Sequence, residues 1–378
     1  MKAGWQTSKL ASLCNLFADG DWIESKDQSP DGIRLVQTGN VGVGEFKDRA
    51  EKARYISEDT FKRLRCTEIT EGDVLISRLP DPVGRACIIP YVDEKLITAV
   101  DCAIVRFNPE KIYSKFFNYY AQSHEYLSKV ASLSTGATRL RISRANLAEI
   151  PVPTPALSDQ QRIVSILDQA FESIAEAINN AEKNLANARE LFASYLDNVR
   201  AEKQPLGHLV SITTGKLDVN ASKEGGQYPF FTCSRQPYAI DTFAFDCEAI
   251  LLAGNNASGD FNVKHYKGKF NAYQRTYVIT VSKEDRLMYR YLYFQLVNSL
   301  REFKSKSVGA NTKFLKIGMI KDLCIPLPSY LEQESIVAKL DELASETKTL
   351  ENIYQQKLIA FDELKKSILH QAFTGQLN

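Results

Sequence analysis

Two segments of this chain repeat each other. Residues 136–196 align without a gap on residues 309–369, an offset of 173 positions. Identical residues recur along the alignment and include Gly136/Gly309, Pro153/Pro326, Pro155/Pro328, Gln160/Gln333, Leu167/Leu340 and Leu196/Leu369. A repeat of this length predicts a molecule with pseudo-two-fold symmetry. Such symmetry suits a target that itself has two halves, of which duplex DNA is the commonest.

Each copy of the repeat ends in the pattern of a long coiled-coil helix. Apolar or small residues follow one another at alternating spacings of four and three over residues 163–195 and 336–368. Ser158 and Ser329 have the form of helix N-caps with a capping box, because a Gln or Glu follows each three positions later. The pattern predicts two helices of roughly 40 residues, each about 60 Å long.

The seams of the two predicted helices differ in side-chain size. The first is rich in alanine, whereas the second is bulky, and an antiparallel pairing would set Ala177 against Tyr354 and Ala188 against Leu343. Small residues opposite large ones give close packing. A parallel pairing would also match small to large, so the seams alone leave the direction open. We expect the antiparallel arrangement, because it follows from a two-fold axis perpendicular to the helices.

The repeat divides the chain into four segments. Residues 1–157 and 205–328 contain short strand-forming runs broken by turns, with a predicted helix late in each, at about 112–131 and 286–304. Residues 158–204 and 329–378 are the helical segments. The predicted fold class is therefore α+β: two mixed α/β domains joined by two long antiparallel coiled-coil helices with pseudo-two-fold symmetry.

Charge is distributed unevenly over these segments, although the whole chain has a net charge of only +1. The helical segments 158–204 and 329–378 are acidic, at −3 each (5 Lys/Arg and 8 Asp/Glu in each). Segment 205–328 has 16 Lys/Arg and 10 Asp/Glu and is the most basic, at +6. Because nucleic-acid affinity depends on local patches, a neutral total is compatible with DNA binding.

Composition predicts the compartment. No apolar run approaches the roughly 20 residues that span a bilayer, and the first residues lack a signal-peptide pattern. The seven cysteines are scattered, with no Cys-x-x-Cys pair. They are typical of reduced thiols, and we expect a cytoplasmic protein.

Motifs for catalysis are missing. The sequence contains neither a phosphate-binding GxxxxGK[ST] loop nor the Asn-Pro-Pro-Tyr motif of adenine methyltransferases, and its four histidines lack metal-ligand spacing. A metal-dependent nuclease pattern can be traced only loosely through Asp81 and residues 93–95, where a surface turn is the better interpretation. We expect no catalytic residue, no metal site and no cofactor bound by this chain.

Candidate DNA contacts lie in loops that mix cations with amides and hydroxyls. Such side chains neutralise phosphates and read base edges. In the first domain the candidates are Gln37, Thr38, Asn40, Arg78 and Arg85, although an ordinary loop is the preferred interpretation for each turn taken alone. In the second they are Asn255, Asn256, Ser258, Lys264, His265, Lys267, Lys269 and Arg275, for which a solvated β-hairpin is the alternative interpretation.

Two Gly-Ala loops lie at matching places just before the helices. The first offers Thr138, Arg139, Arg141 and Arg144, and the second offers Asn311, Thr312 and Lys313. Flexible glycine next to cations predicts contacts that position DNA phosphates. A helix-approach turn with solvated charges is an equally good interpretation.

The alternation of variable domain and repeated helix resembles the specificity subunits of type I restriction-modification systems. The resemblance covers essentially the whole chain and is carried by the entries Ile-Pro-Val-Pro-Thr-Pro…Gln-Gln-Arg-Ile-Val…Leu-Asp (150–168) and Ile-Pro-Leu-Pro…Gln-Glu-Ser-Ile-Val…Leu-Asp (325–341), and by the ending 368–377. It implies that each α/β domain is a target recognition domain for one half of a bipartite DNA site. It also implies that the helices act as a ruler for the unread spacer.

The resemblance further implies a set of partners. The chain would dock two methyltransferase subunits, which use S-adenosylmethionine. In the full complex it would also dock two restriction subunits, which use ATP and Mg²⁺. Residues near the helix entries, expected to be exposed, are docking candidates: Gln160, Arg162, Gln333 and Glu334. Two alternatives stay open, a specificity subunit of a type IIB-like system and a coiled-coil scaffold that binds protein instead of DNA.

Overall fold

The computed structural model describes residues 5–377, which divide into two compact units. The first unit combines Met1–Asn179 with Gln356–Asn378, and the second is Asn180–Gln355. Each unit therefore contains one α/β domain, one end of each long helix, and a core of its own.

The first unit begins with the α/β domain that precedes the first long helix. Its strands are β1 (Gln6–Lys9), β2 (Cys14–Asp19), β3 (Gln28–Ser29), β4 (Ile33–Val36), β5 (Tyr55–Ile56), β6 (Val74–Ser77), β7 (Ala86–Ile88), β8 (Leu96–Thr98), β9 (Cys102–Phe107) and β10 (Pro151–Thr154). Its helices are α1 (Glu58–Leu64), α2 (Ser114–Tyr120), α3 (His124–Ser132) and α4 (Arg144–Ala148), followed by the long helix α5 (Leu157–Asp197), which continues into the second unit.

The second unit has a domain of the same kind. Its strands are β11 (Lys203–Pro205), β12 (Val210–Thr214), β13 (Tyr228–Phe231), β14 (Tyr238–Ile240), β15 (Phe245–Ala253), β16 (Asn255–Asn256), β17 (Val263–Ala272), β18 (Thr276–Val281), β19 (Lys313–Phe314) and β20 (Cys324–Pro326). Its helices are α6 (Tyr289–Asn298), α7 (Leu300–Lys306) and α8 (Ile317–Lys321), followed by the long helix α9 (Tyr330–Thr374).

The central sheets of the two units have the same strand order. In the first unit the order is β2-β9-β6-β7, and in the second β12-β18-β15-β17, extended by β13 and β14. In the first unit, β4 and β8 form a parallel pair in a separate sheet, β3-β5-β4-β8. The duplication therefore includes the domains themselves, where the sequences have diverged.

Each domain is closed by pairing its first strand with the strand before the long helix. β1 pairs antiparallel with β10, and β11 pairs antiparallel with β20. Next to these strands, the amide of Leu10 donates to the carbonyl of Ile150 at 2.9 Å, and that of Leu206 to Leu323 at 2.8 Å. The beginning and the end of each domain are thus fixed together in the same way.

The prediction of a single helix before each repeat was wrong, because each unit has two shorter helices there, α2 and α3 in the first and α6 and α7 in the second. In the first unit, α3 begins after Ser123, whose hydroxyl accepts a hydrogen bond from the amide of Tyr126 at 3.3 Å as an N-cap. In the second unit, Ser299 separates α6 from α7, and its hydroxyl donates to the carbonyl of Gln295 at 2.8 Å.

The two long helices begin at equivalent positions, although only one of the predicted caps is present. Ser329 caps α9: its hydroxyl accepts from the amide of Glu332 at 3.4 Å, and its own amide donates to the Glu332 carboxylate at 2.8 Å. The prediction for Ser158 was wrong. The residue equivalent to Ser329 is Ala156, whose carbonyl already accepts the amide of Gln160 at 3.0 Å. Ser158 therefore lies inside the first turn of α5.

The helices pack antiparallel within each unit, as predicted. In the second unit, Arg189 pairs with Glu351 at 2.6 Å, and Leu196, one end of α5, shares a core with Leu340 near the start of α9. In the first unit, the core residue Leu167 near the start of α5 lies in one cluster with Leu369 near the end of α9. The individual Ala–Tyr and Ala–Leu pairs stay predictions.

The predicted seam was wrong near its ends. Leu191 is 58% exposed and Leu364 is 44% exposed, whereas the neighbouring Phe192 packs against the core of the second unit. A strict heptad pattern drifts by about 20° per heptad relative to a straight helix. Over several heptads this drift moves a seam position off the packed face.

One glycine in each unit allows close approach of two chain segments. Gly20 follows β2 and Gly215 follows β12, and a Cβ on either would overlap a backbone carbonyl, that of Ala99 or Ala272. Glycine is required where one backbone approaches another this closely. The same device at the same topological position supports a common origin for the two domains.

Candidate nucleic-acid interface

The turn after β4 is held by Asn40, which the sequence placed among the DNA contacts. Its Oδ1 accepts the amide of Gln37 at 2.9 Å and its Nδ2 donates to the carbonyl of Lys47 at 2.9 Å, and the side chain is buried. These hydrogen bonds shape the turn, and a contact between Asn40 and DNA stays a prediction. Gln37 and Thr38 are half-buried.

Arg85, another candidate DNA contact, is bonded to the protein itself. It is only 8% exposed, and its guanidinium donates to the carbonyls of Val41 at 2.7 Å, Leu79 at 2.8 Å and Thr38 at 2.8 Å. Desolvation by burial lowers the pKa of Arg85. With its donors occupied by backbone carbonyls, this arginine joins the Gln37–Asn40 turn to the β6–β7 connection.

Arg78 lies beside a turn, as the sequence predicted, and is buried as well. Its Nη2 donates to the carbonyl of Val100 at 2.9 Å, and its Nη1 lies 2.6 Å from Oδ1 of Asp19. Burial lowers its pKa. It lines a cavity of about 760 Å³, together with the hairpin described next.

The two Gly-Ala loops are equivalent hairpins. Thr135 pairs with Arg141 in the first, and Val308 pairs with Phe314 in the second. The glycine after the first pairing residue has a φ of +125° at Gly136 and +114° at Gly309, a conformation that glycine adopts readily. The structure therefore gives the repeated Gly-Ala pair a shared role in shaping the turn.

These hairpins, together with Arg144 at the start of α4, hold the best exposed candidates. Thr138, Arg139, Arg141, Arg144 and Asn311 are exposed, while Thr312 and Lys313 are half-buried. Arg141 pairs with Asp101 at 3.0 Å, and Arg144 lies 3.5 Å from Asp19. The side chains on these hairpins are accessible, as a contact with a DNA backbone requires.

In the second unit, residues 255–277 do not pair with one another as a separate hairpin, although residues 263–270 form one arm of a hairpin with β15. Residues 263–270 pair with β15 inside a six-stranded sheet, and Asn255 and Asn256 pair with β19. Oδ1 of Asn256 accepts the amides of Ser258 at 2.8 Å and of Asp260 at 3.2 Å, so this side chain organises the loop. Ser258 and Arg275 are exposed, and Arg275 lies over the Phe314 ring at 5.2 Å.

The cations along β17 are largely engaged with the protein itself. Lys264 donates to the carbonyl of Ser234 at 2.7 Å, and burial lowers its pKa. His265 and Lys267 both lie 2.9 Å from the carboxylate of Glu248. The Lys269 ammonium lies 4.7 Å from the ring centre of Phe243. Lys264 and His265 are thus unavailable as free cations, whereas Lys267 and Lys269 are exposed.

The structure also reveals exposed polar residues that the sequence reading missed. Arg235 and Gln274 flank the Asn255 loop in the second unit. The Arg235 guanidinium lies 3.3 Å from the Asp260 carboxylate, and Gln274 follows the buried end of β17. In the first unit, Arg49, Lys52 and Arg54 line a small cavity of about 170 Å³ with Gln37. The concentration of cations in the segment Lys-Asp-Arg-Ala-Glu-Lys-Ala-Arg (47–54) was the available signal.

Two of the four proposed docking residues are buried. Gln160 and Gln333 are fully buried, so the expectation that they form an exposed docking surface was wrong. Oε1 of Gln160 accepts the amide of Tyr113 at 2.8 Å, and Oε1 of Gln333 accepts that of Met288 at 2.9 Å. Each Nε2 donates to a proline carbonyl five residues upstream. These repeated glutamines connect each helix to its domain, while Arg162 and Glu334 are exposed.

Replacing Gln160 by alanine should therefore lower stability, with no direct effect on a partner. We expect a loss of about 1–3 kcal/mol in the free energy of unfolding, since the amide of Tyr113 would be left without its acceptor. Guanidinium denaturation followed by tryptophan fluorescence measures this loss. The exposed neighbour Gln161 provides the control, for which Gln161→Ala should change stability by less than about 0.5 kcal/mol. Equal stabilities of the two variants would contradict the prediction.

Four findings bear on other kinds of site. Among residues 5–377, no group of three or more His, Cys, Asp or Glu side chains is arranged to hold a metal ion. Glu94 pairs with the buried Arg34 at 3.0 Å, and Lys95 lies over the Phe61 ring at 3.8 Å, so both have structural contacts. No helix in the described part of the chain is long and apolar enough to cross a membrane. All seven cysteines are free.

Two α/β domains of one topology, each with an exposed hairpin before a long helix, define a protein built by internal duplication. The family model described as "Type I restriction modification DNA specificity domain" matches residues 2–185 and again 198–359. The chain belongs to this family of specificity domains.

Curated relatives agree with this family. The EcoDI specificity subunit of Escherichia coli is 38% identical over 172 residues, which is 46% of this chain and 37% of that subunit. The StySPI subunit of Salmonella potsdam is 23% identical over 99% of this chain and 89% of its own length. The EcoKI subunit of E. coli K12 is 25% identical, over 99% of this chain and 89% of its own length. The EcoDI match thus spans less than half of either protein.

Solved structures share the fold. A chain from a study of complex assembly and conformational transition of the type I R-M system superposes with a TM-score of 0.76 at 17% identity, over 99% of this chain and 98% of that one. The HsdS subunit from Thermoanaerobacter tengcongensis gives a TM-score of 0.58 at 17% identity, over 100% of this chain and 98% of that one. At such identities the likeness concerns the fold alone.

Proposed function

We propose that this chain is the DNA-reading subunit of a type I restriction-modification complex, in which each unit recognises one half of a bipartite site. The observation that carries the proposal is the duplicated domain: the sheet order is the same in both units, while the exposed hairpin and loop residues differ. A common scaffold with different exposed side chains is suited to reading two different half-sites.

The proposal includes a division of labour. The chain itself carries out no bond chemistry and holds no cofactor. Methyltransferase partners supply S-adenosylmethionine chemistry, and restriction partners supply ATP- and Mg²⁺-dependent chemistry. Two copies of each partner would match the two units. Arg162 and Glu334, exposed at equivalent helix entries, remain docking candidates.

The direct test is selection of bound duplexes from a random library by the full chain together with its methyltransferase partner. We expect two conserved half-sites separated by unread base pairs. Gln274→Ala should relax the preference at bases of one half-site only, at a cost of about 1–3 kcal/mol, because a bidentate amide–base contact would be lost. Lys283→Ala, another exposed residue of the second unit, is the control and should leave the selected sequence unchanged. A complex that selects no sequence would favour the protein-binding scaffold instead.

A further inference from the structure

A cavity in the first unit is lined by an arginine cluster. We call it the arginine cavity. Its charged and hydroxyl-bearing lining residues are Asp19, Arg78, Thr135, Arg141, Ser143 and Arg144. The three arginines face two carboxylates. One is Asp19, which lines the cavity, and the other is Asp101, which lies outside the lining and pairs with Arg141. The cluster therefore has a formal charge of +1, and its cavity of about 760 Å³ opens beside the exposed Gly136 hairpin.

The hydrogen bonds of this cluster are incomplete. Nε of Arg78 is buried and has no acceptor among the described residues. Oδ1 of Asp19 lies 2.6 Å from Arg78 Nη1, an ion pair without hydrogen-bond geometry. Ser143 accepts the amide of Asn146 at 3.0 Å, which leaves its hydroxyl hydrogen to donate elsewhere. A polar cavity with surplus donors is suited to an oxyanion.

The second unit lacks this cluster at the equivalent place. The register is fixed by two matching hydrogen bonds, from the amide of Ile142 to the carbonyl of Arg78 at 3.2 Å and from Leu315 to Gly254 at 2.9 Å. In this register the four charged residues correspond to uncharged ones: Asp19 to Thr214, Arg78 to Gly254, Arg141 to Phe314 and Arg144 to Ile317. The common scaffold folds without these charges, so they serve something particular to the first unit.

We propose that the arginine cavity binds one phosphodiester group of the DNA backbone and anchors the first unit on its half-site. Guanidinium groups match phosphate oxygens with paired hydrogen bonds, and Arg78 is held rigidly by Val100 and Asp19 while Arg141 and Arg144 lie at the exposed rim. Asp19 pairs with Arg78 and Arg144, and Asp101 pairs with Arg141, so the two carboxylates offset the repulsion among the arginines before DNA arrives. This anchor rests on the proposed DNA-reading function and adds to it a contact that carries no base preference.

The test is the salt dependence of duplex binding by the full chain with its partner. Arg141→Gln and Arg144→Gln should each reduce the slope of log affinity against log salt by up to about 1, the contribution of one phosphate, and should weaken random-sequence and selected duplexes by the same factor. Lys62→Gln removes an exposed charge of α1 outside the cavity and should leave the slope unchanged. Asp101→Asn should tighten binding severalfold, because it releases Arg141.

Each outcome separates the possible roles. Unchanged slopes, or weaker binding by Asp101→Asn, would make the cluster an internal ion-pair network and overturn the anchor. In another outcome, inorganic phosphate stabilises the isolated wild-type protein but not Arg144→Gln, while the salt slope of DNA binding stays unchanged. That result would assign the cavity to a free anion and would also overturn the anchor. A wild-type complex that binds no duplex would instead refute the DNA-reading function.

Discussion

Phe373→Ala is expected to destabilise the first unit by about 3–5 kcal/mol, the range for removing a buried phenylalanine ring. Phe373 lies in the last turns of α9 and is 3% exposed. Its ring makes edge-to-face contacts with Phe116 and Tyr120 of the amino-terminal domain, at centroid distances of 5.3 Å each. The end of the chain therefore completes the core of the domain that begins it, and alanine would leave a cavity there.

Tryptophan fluorescence isolates this effect, because Trp5 and Trp22 are the two tryptophans of the chain and both belong to the first unit. In guanidinium denaturation we expect a lower midpoint for Phe373→Ala with the slope preserved. Arg200 supplies a surface control in the second unit: it lies just after the end of α5 and is exposed. Arg200→Ala should change stability by less than about 0.5 kcal/mol. An unaltered midpoint for Phe373→Ala would contradict the packing of α9 against the first domain.

The helical scaffold could be predicted from the sequence because its determinants are local. The spacing of apolar residues gave two helices of the expected length, which the structure extends to 41 and 45 residues. The cap at Ser329 was correct for the same reason, since a capping box involves residues only three apart. The predicted cap at Ser158 was wrong because the first turn of α5 begins two residues earlier, at Ala156. Alignment of the two copies of the repeat, which places Ala156 opposite Ser329, was the signal that could have corrected this prediction.

The DNA-contact candidates were harder to predict, because polar residues look alike in a sequence whether they face water or a buried carbonyl. Arg85 bonds carbonyls as distant as Thr38, and Gln160 bonds the amide of Tyr113. Only the tertiary fold brings those partners together. Conversely, Arg235 and Gln274 gain their exposed position from the ends of sheet strands that no local pattern fixes. Whether the exposed candidates contact DNA stays a prediction.

Insertion of one heptad into both long helices should change the spacer that the protein prefers. α5 crosses from the first unit to the second between Asn179 and Asn180, and α9 crosses between Gln355 and Gln356. Seven residues keep the seam in phase to within about 20° and add about 10 Å of helix. If each unit reads a half-site, this length corresponds to about three base pairs of duplex.

We expect the variant to bind the original site roughly a thousandfold more weakly, near the lower end of the gap between specific and non-specific affinity, and to prefer a spacer about three base pairs longer. Its best affinity should stay below that of the wild type, because three base pairs also rotate the second half-site by roughly 100° about the duplex axis. Binding to a series of duplexes with different spacers measures both effects. Seven flexible residues inserted after Glu224, in an exposed loop, are the length-matched control and should keep the original spacer. If the heptad variant also kept it, the helices would not set the distance between half-sites, and spacer choice would have to come from the partner subunits.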